Sequence, residues 1–221
     1  MDKGGYVLTL RKWFSFYLTT LLVGALASFV TGVLLLWRDT NVFQTGGVDL
    51  AYGLFTFSYM GLIYATLSHM GFFAYLTVHY FAIGLFRSIK LLAGIQMVLI
   101  LFTIFDLIYF RMTIFSFSFE ETLPLVIALL FFGLIIAYLK TRETNMANFF
   151  STLFVMVVIT AVELVPAMRI APTQQGVVTQ SVVAMLIPLL ATNAWQVMRL
   201  HRILPRKGHE EQPPVQMIKQ S

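Results

Sequence analysis

The sequence predicts an all-α integral membrane protein: a bundle of about six transmembrane helices with an interfacial segment after the second. Three observations carry that prediction. Only 11% of the 221 residues are charged while 58% are hydrophobic, and the mean hydropathy is +0.82; a soluble chain carries about 25% charged residues. Six runs hold little or no formal charge, and all but one have about the length that crosses a ~30 Å hydrocarbon core. The basic residues between those runs fall mostly on one side, as cytoplasmic loops require.

The first run is 25 residues long, from Trp13 to Trp37. Arg11-Lys12 before it and Ala25-Leu26-Ala27 within it resemble a secretory signal peptide with a small-residue cleavage site. The run continues past that site, so it reads as a retained span over 13–37, a signal anchor. Gly24, Ser28 and Gly32 recur every four residues and offer a small-residue face for close helix packing.

The second run, from Leu50 to Phe86, has 37 residues without a formal charge. As one helix it is ~55 Å long at 1.5 Å per residue, too long for a single crossing. Two crossings and a turn need about 40 residues or more. Charge arbitrates between the two. With six spans and the N-terminus inside, twelve Lys and Arg are cytoplasmic and three, Arg38, Arg111 and Arg169, are outside. Splitting the run flips every later loop and leaves five inside against ten outside, contrary to the positive-inside bias. The second span is therefore placed near 50–77. Residues 78–90 then lie along the cytoplasmic interface as an amphipathic segment. Gly84 breaks the helix there, and Arg87 and Lys90 face the headgroups.

Four further spans follow near 89–110, 122–139, 145–166 and 177–198. Ser118 and Glu121 have the spacing of a capping box ahead of the fourth, with Pro124 tolerated in its first turn. Pro188 is expected to kink the sixth. Residues 1–12 form a cytoplasmic N-terminus and 199–221 a cytoplasmic basic tail, disordered beyond Gly208. Its Arg199, Arg202, Arg206 and Lys207 anchor the inner end or contact anionic lipid. No internal repeat is visible, which disfavours an inverted-repeat transporter.

Composition also excludes. The chain has no cysteine, so it has no disulfide, iron–sulfur cluster, thiolate zinc site or thiol nucleophile. The net charge of +5 resides in the connections between spans rather than in a basic stripe, so nucleic acid is not the expected partner. No HExxH, GxGxxG, Walker A or GxSxG pattern occurs. His69, His79, His201 and His209 are not spaced as a metal set. The expectation is a protein that is not an enzyme and carries no cofactor or metal.

Two acids fall inside the spans, Asp106 in the third and Glu163 in the fifth, both toward the outer interface. Each precedes a basic residue, Arg111 and Arg169 respectively. An acid at the bilayer centre costs about 2.5–3.5 kcal/mol, and less near the interface. Two readings stay open: the acids serve a small transporter or ligand-binding bundle, or they form an outer ionic layer with Arg38, Arg111 and Arg169. The inner half carries a second polar layer, His69, Gln96, Asn193 and Gln196. Asn193 and Gln196 are three apart and share a helix face; side-chain hydrogen bonds between spans contribute about 0.6 kcal/mol each. His69 either titrates near neutral pH or bonds to Asn193 or Gln196. A candidate partner surface combines Phe72 and Phe73 beside the small Gly71 and Ala74 with Arg87 and Lys90. The alternative is a core in which Phe72 and Phe73 pack on the third and sixth spans.

Five short strings add a resemblance. They are Ser68-His69-Met70-Gly71-Phe72-Phe73-Ala74-Tyr75-Leu76, Gly84-Leu85-Phe86-Arg87-Ser88, Phe105-Asp106-Leu107-Ile108-Tyr109-Phe110-Arg111, Glu163-Leu164-Val165-Pro166-Ala167 and Asn193-Ala194-Trp195-Gln196. In this order the chain resembles the KinB-signalling pathway activation family, membrane proteins of spore-forming bacilli. It departs in the long basic tail and at Thr192, where the family is associated with a Cys. The resemblance implies a non-catalytic integral-membrane protein of the bacterial cell, and the charge bias of the loops places both termini in the cytoplasm. It implies a role in activating a sensor histidine kinase that feeds the sporulation phosphorelay. The implied partner is that membrane kinase, beside the membrane lipid that composition already implies; no functional residue and no oligomeric state is carried over.

Overall fold

The computed structural model describes residues 4–38, 47–86, 88–114, 116–170 and 175–203. Within them, side chains 4–10, 38, 147, 166–170, 175–181 and 201–203 lie outside the description. Among the described residues there is no strand, and the chain forms six helices: α1 (Gly4–Arg38), α2 (Gly47–Phe86), α3 (Ile89–Thr113), α4 (Phe119–Glu143), α5 and α6 (Gln175–Ile203). After a 3-10 turn at Met146–Asn148, α5 runs unbroken through an α segment (Phe149–Phe154), a π turn (Val155–Ile159) and a second α segment (Thr160–Ile170).

Leu is abundant in these helices and suits them, since it loses little side-chain freedom there; the many Phe, Val and Ile residues are weaker helix formers and supply apolar surface instead. Their ends are marked by polar caps. The Ser88 hydroxyl accepts from the Leu91 amide at 3.5 Å ahead of α3. At α4 the capping box is complete: Ser118 Oγ accepts from the Glu121 amide at 3.2 Å and the Glu121 carboxylate accepts from the Ser118 amide at 2.9 Å. That pair satisfies two donors that a helix start otherwise leaves orphaned.

Five helices are long and apolar enough to cross a membrane, by length and composition: Arg11–Trp37, Gly47–Phe86, Ile89–Thr113, Phe119–Glu143 and Val182–Leu200. The described apolar part of α5, Phe149–Val165, is shorter. Yet α5 is the central element, packed by α2, α3, α4 and α6. Its Met156, Val157 and Leu164 are completely buried, as are Leu129 of α4 and Leu189 of α6 to within a percent.

The small residues of α1 meet α2 as their spacing predicts. A Cβ added at Gly24 would lie 2.5 Å from the Ala65 Cβ and 2.7 Å from the Gly61 carbonyl. One at Gly32 would lie 2.6 Å from the Phe57 ring. Between them Ser28 Oγ donates to the Phe57 carbonyl at 2.7 Å. Only glycine lets the two backbones approach this closely.

One expectation about α2 is overturned. The helix does not break at Gly84; it is continuous for 40 residues to Phe86. No atom crowds Gly84, and a lone glycine costs a helix only about 1 kcal/mol, which Ala82, Ile83, Leu85 and Phe86 on either side offset. Residues 78–86 are therefore the last turns of α2, and α3 begins at Ile89; Arg87 lies outside the described residues. The tail expectation for 204–221 also lies outside them. α6 runs on through Pro188 without ending.

Candidate functional site

The inward face of α2 carries Gly61, Ala65, Ser68, Phe72 and Tyr75, a stripe at helical spacing. Ser68 is its one short polar residue. Opposite it, α5 presents Thr160 and Glu163, three apart and so on one face, directly after the π turn. α6 presents Asn193 and Gln196 with the same spacing. Ser68, Thr160, Asn193 and Gln196 are 0% exposed and Glu163 is 3% exposed, so bulk water does not serve any of them.

Their hydrogen bonds form one chain across three helices. Gln196 Nε2 donates to Ser68 Oγ at 3.1 Å, and Ser68 Oγ donates to Asn193 Oδ1 at 2.9 Å. Asn193 Nδ2 then donates both to Thr160 Oγ1 at 2.9 Å and to Glu163 Oε2 at 2.8 Å. Asn193 is the hub, with its carbonyl and both amide hydrogens engaged. Two buried acceptors, Glu163 Oε1 and Gln196 Oε1, have no donor. Such groups cost free energy unless compensated, and their retention in the middle of an apolar bundle marks the layer as the strongest candidate for function. Gly71 makes room for the carboxylate: a Cβ there would overlap Glu163 Oε1 and come within 3.0 Å of Ile159 Cγ2.

The sequence-based layers are rearranged accordingly. Glu163 sits with Asn193, whose amide donates to its carboxylate across the α5–α6 contact. The side chains of Arg38 and Arg169 lie outside the described residues. Asp106 is half-buried on α3. Arg111 is buried, donates from Nη2 to the Glu121 carbonyl at 3.5 Å and stacks 4.2 Å over the Phe117 ring. It therefore ties the end of α3 to the start of α4.

In the inner layer, His69 does not bond to Asn193 or Gln196. One residue further along α2 turns it by about 100°, into a cluster with Phe16, Tyr17 and Phe73 at centroid distances of 5.5, 5.0 and 4.7 Å. Ser68 takes the place expected for it. Gln96 belongs elsewhere too, accepting from Ser151 Oγ at 3.4 Å. Phe72 is core at 1% exposure, packed with Phe16, Tyr75, Val155 and Val197, so it is no partner surface. Phe73 is on the rim, against Trp13 at 5.3 Å, and Lys90 is exposed. Sequence reasoning missed Ser68 and Thr160. The available signal was Ser68 in register with Gly61 and Ala65.

The family described as KinB-signalling pathway activation in sporulation matches residues 24–203. The chain belongs to this family. A curated relative, the KinB-signaling pathway activation protein of Bacillus subtilis (strain 168), is 38% identical over 192 residues, covering 84% of this chain and 93% of that protein. No solved structure matches. The stretch matched by the KinB-signalling pathway activation family opens at Gly24, the first glycine of the α1–α2 contact, and closes at Ile203, the last residue of α6. The whole Ser68–Glu163–Asn193 layer falls within it.

Proposed function

We propose that this chain is a multi-pass membrane protein, both termini cytoplasmic, that activates the sensor histidine kinase pathway feeding the sporulation phosphorelay. It acts by packing against the kinase's membrane helices and not by catalysis. Membership of the KinB-signalling pathway activation family carries this reading.

Physical features support it. The outward faces of the helices are apolar: Phe55 is 70%, Phe102 62% and Phe105 65% exposed. Apolar surface on this scale is tolerated in lipid and not in water. An accessory protein needs only differential affinity for the active state of its partner, and a few kcal/mol changes the active population substantially. The surface offered is the outer side of α2, with Met70 and Phe73, continuing to Lys90 at the start of α3.

Deleting the gene and measuring kinase-dependent phosphorelay output tests the proposal. Output falls and the wild-type gene restores it; unchanged output overturns the role. Arg87→Glu and Lys90→Glu variants that insert normally test the surface, and full output from both removes it from consideration.

A further inference from the structure

Among the described residues Glu163 is the one acid that the bundle closes over, lying between Asn193 of α6 and Gly71 of α2. Its two oxygens differ. Oε2 accepts from Asn193 Nδ2 at 2.8 Å. Oε1 accepts from nothing and lies against Gly71, where an added Cβ would overlap it. Gln196 Oε1, at the far end of the Ser68–Asn193 chain, is a second buried acceptor without a donor. No lysine, arginine or histidine among the described residues pairs with the carboxylate. The basic groups on the helices packed against α5 are engaged elsewhere. His69 lies among Phe16, Tyr17 and Phe73, and His79 meets the Tyr75 hydroxyl. Arg111 stacks over Phe117, Lys140 donates to the Met198 carbonyl and Arg199 stacks over Trp195. Asp106 on α3 is a further acid and adds no positive charge.

We propose that Glu163 binds one monovalent cation, a proton or Na+, at Oε1. An ionised carboxylate taken out of water costs far more than one amide hydrogen bond returns. A buried acid is sustained by pairing with a base, by holding a cation or by taking up a proton, and no pairing base is among the described residues. The two sources share one chemistry, a single positive charge on a carboxylate oxygen. A proton needs no space beyond Oε1 itself, which suits the close packing against Gly71 and Ile159. Na+, a hard cation, takes oxygen ligands and would draw on the oxygens of Ser68, Thr160 and Gln196 beside the carboxylate. Asn193 holds the carboxyl group through Oε2 and is itself held by Ser68, so the chain positions Oε1 without neutralising it. The occupied and unoccupied sites differ by a full charge where α2, α5 and α6 meet, so occupancy sets how firmly these helices pack. The inference rests on the burial of Glu163 and not on the kinase role.

The test uses the full chain purified in neutral detergent micelles, with H+, Na+ and K+ themselves as probes. Dicyclohexylcarbodiimide, an apolar reagent, converts a protonated carboxyl group in apolar surroundings to a stable N-acylurea, and peptide mass spectrometry locates the adduct. In Na+-free buffer an adduct at Glu163 is expected, growing as the buffer moves from alkaline to mildly acidic. Selective suppression of that adduct by NaCl, with a rise in Tm that equal KCl does not give, assigns the site to Na+; any other response to the two salts leaves the proton. E163Q is expected to lose the adduct and to melt with less dependence on pH and Na+ than wild type. E120Q, at an exposed acid, keeps the adduct at Glu163 and the wild-type response. Absence of the adduct at every pH, with wild-type Tm following pH and Na+ as that of E163Q does, overturns the proposal. Where the adduct is absent but the Tm profiles of wild type and E163Q differ, that difference reports the bound cation. Should E163Q lose its helical circular dichroism, the wild-type adduct in Na+-free buffer decides alone, and its absence overturns the site. Phosphorelay output is not read in any arm, so failure here leaves the kinase role standing.

Discussion

The side-chain amide of Asn193 donates to Glu163 Oε2 at 2.8 Å, fastening α6 to α5 through two residues that neither water nor a neighbouring cation among the described residues serves. Truncating either side strands the other. Asn193→Ala and Glu163→Ala are each expected to destabilise the protein by about 1–3 kcal/mol, the cost of leaving a buried polar group unpaired. The double variant should cost clearly less than the sum, as residues in direct contact do. Thermal unfolding in detergent measures the cycle, and strict additivity would show that the pair is not coupled.

Gly71 and Glu163 give a second, steric test. Gly71→Ala places a methyl group where Glu163 Oε1 lies, and overpacking of this kind costs about 1–3 kcal/mol. Glu163→Asp withdraws the carboxylate by one methylene. The combination G71A/E163D should melt above G71A alone; a further fall in Tm would refute the crowding.

Two glycines of the same sequence should behave oppositely. Gly24→Ala drives a Cβ into Ala65 and the Gly61 carbonyl and should destabilise by about 1–3 kcal/mol. Gly84→Ala meets nothing within 4 Å and should be neutral or stabilising by about 0.5–1 kcal/mol through helix propensity. Equal effects at the two positions would contradict the α1–α2 contact.

Orientation is open to direct labelling because the native chain has no cysteine. In intact cells Gly46→Cys should react with an impermeant thiol reagent and Thr141→Cys should not. The reverse pattern inverts the proposed topology.

What was legible in the sequence was local. Gly24, Ser28 and Gly32 announced their contact by spacing, and Ser118 with Glu121 announced the start of α4, because both signals sit within one helix turn or one helix face. The rotational setting of α2 was not legible. Its residues are apolar on every side, so no polar face tells Ser68 from His69, and the larger, ionisable neighbour drew the assignment. The Asn193 contact of Glu163 was hidden for a related reason. It lies 30 residues away on α6, and the register between two apolar helices leaves no trace in either one alone.

The π turn at Val155–Ile159 acts as a phase setter for everything after it. A π turn holds one more residue than the α geometry it interrupts, and one residue is about 100° of helical rotation. The segment before the turn, with Thr152 and Leu153 buried, and the segment after it, with Thr160 and Glu163 buried, thus keep facing the bundle out of step with each other. Removing a single residue from this stretch would restore a regular helix of almost the same composition. It would also swing the Glu163 carboxylate away from Asn193 toward a neighbouring face, with no side chain of the polar layer changed.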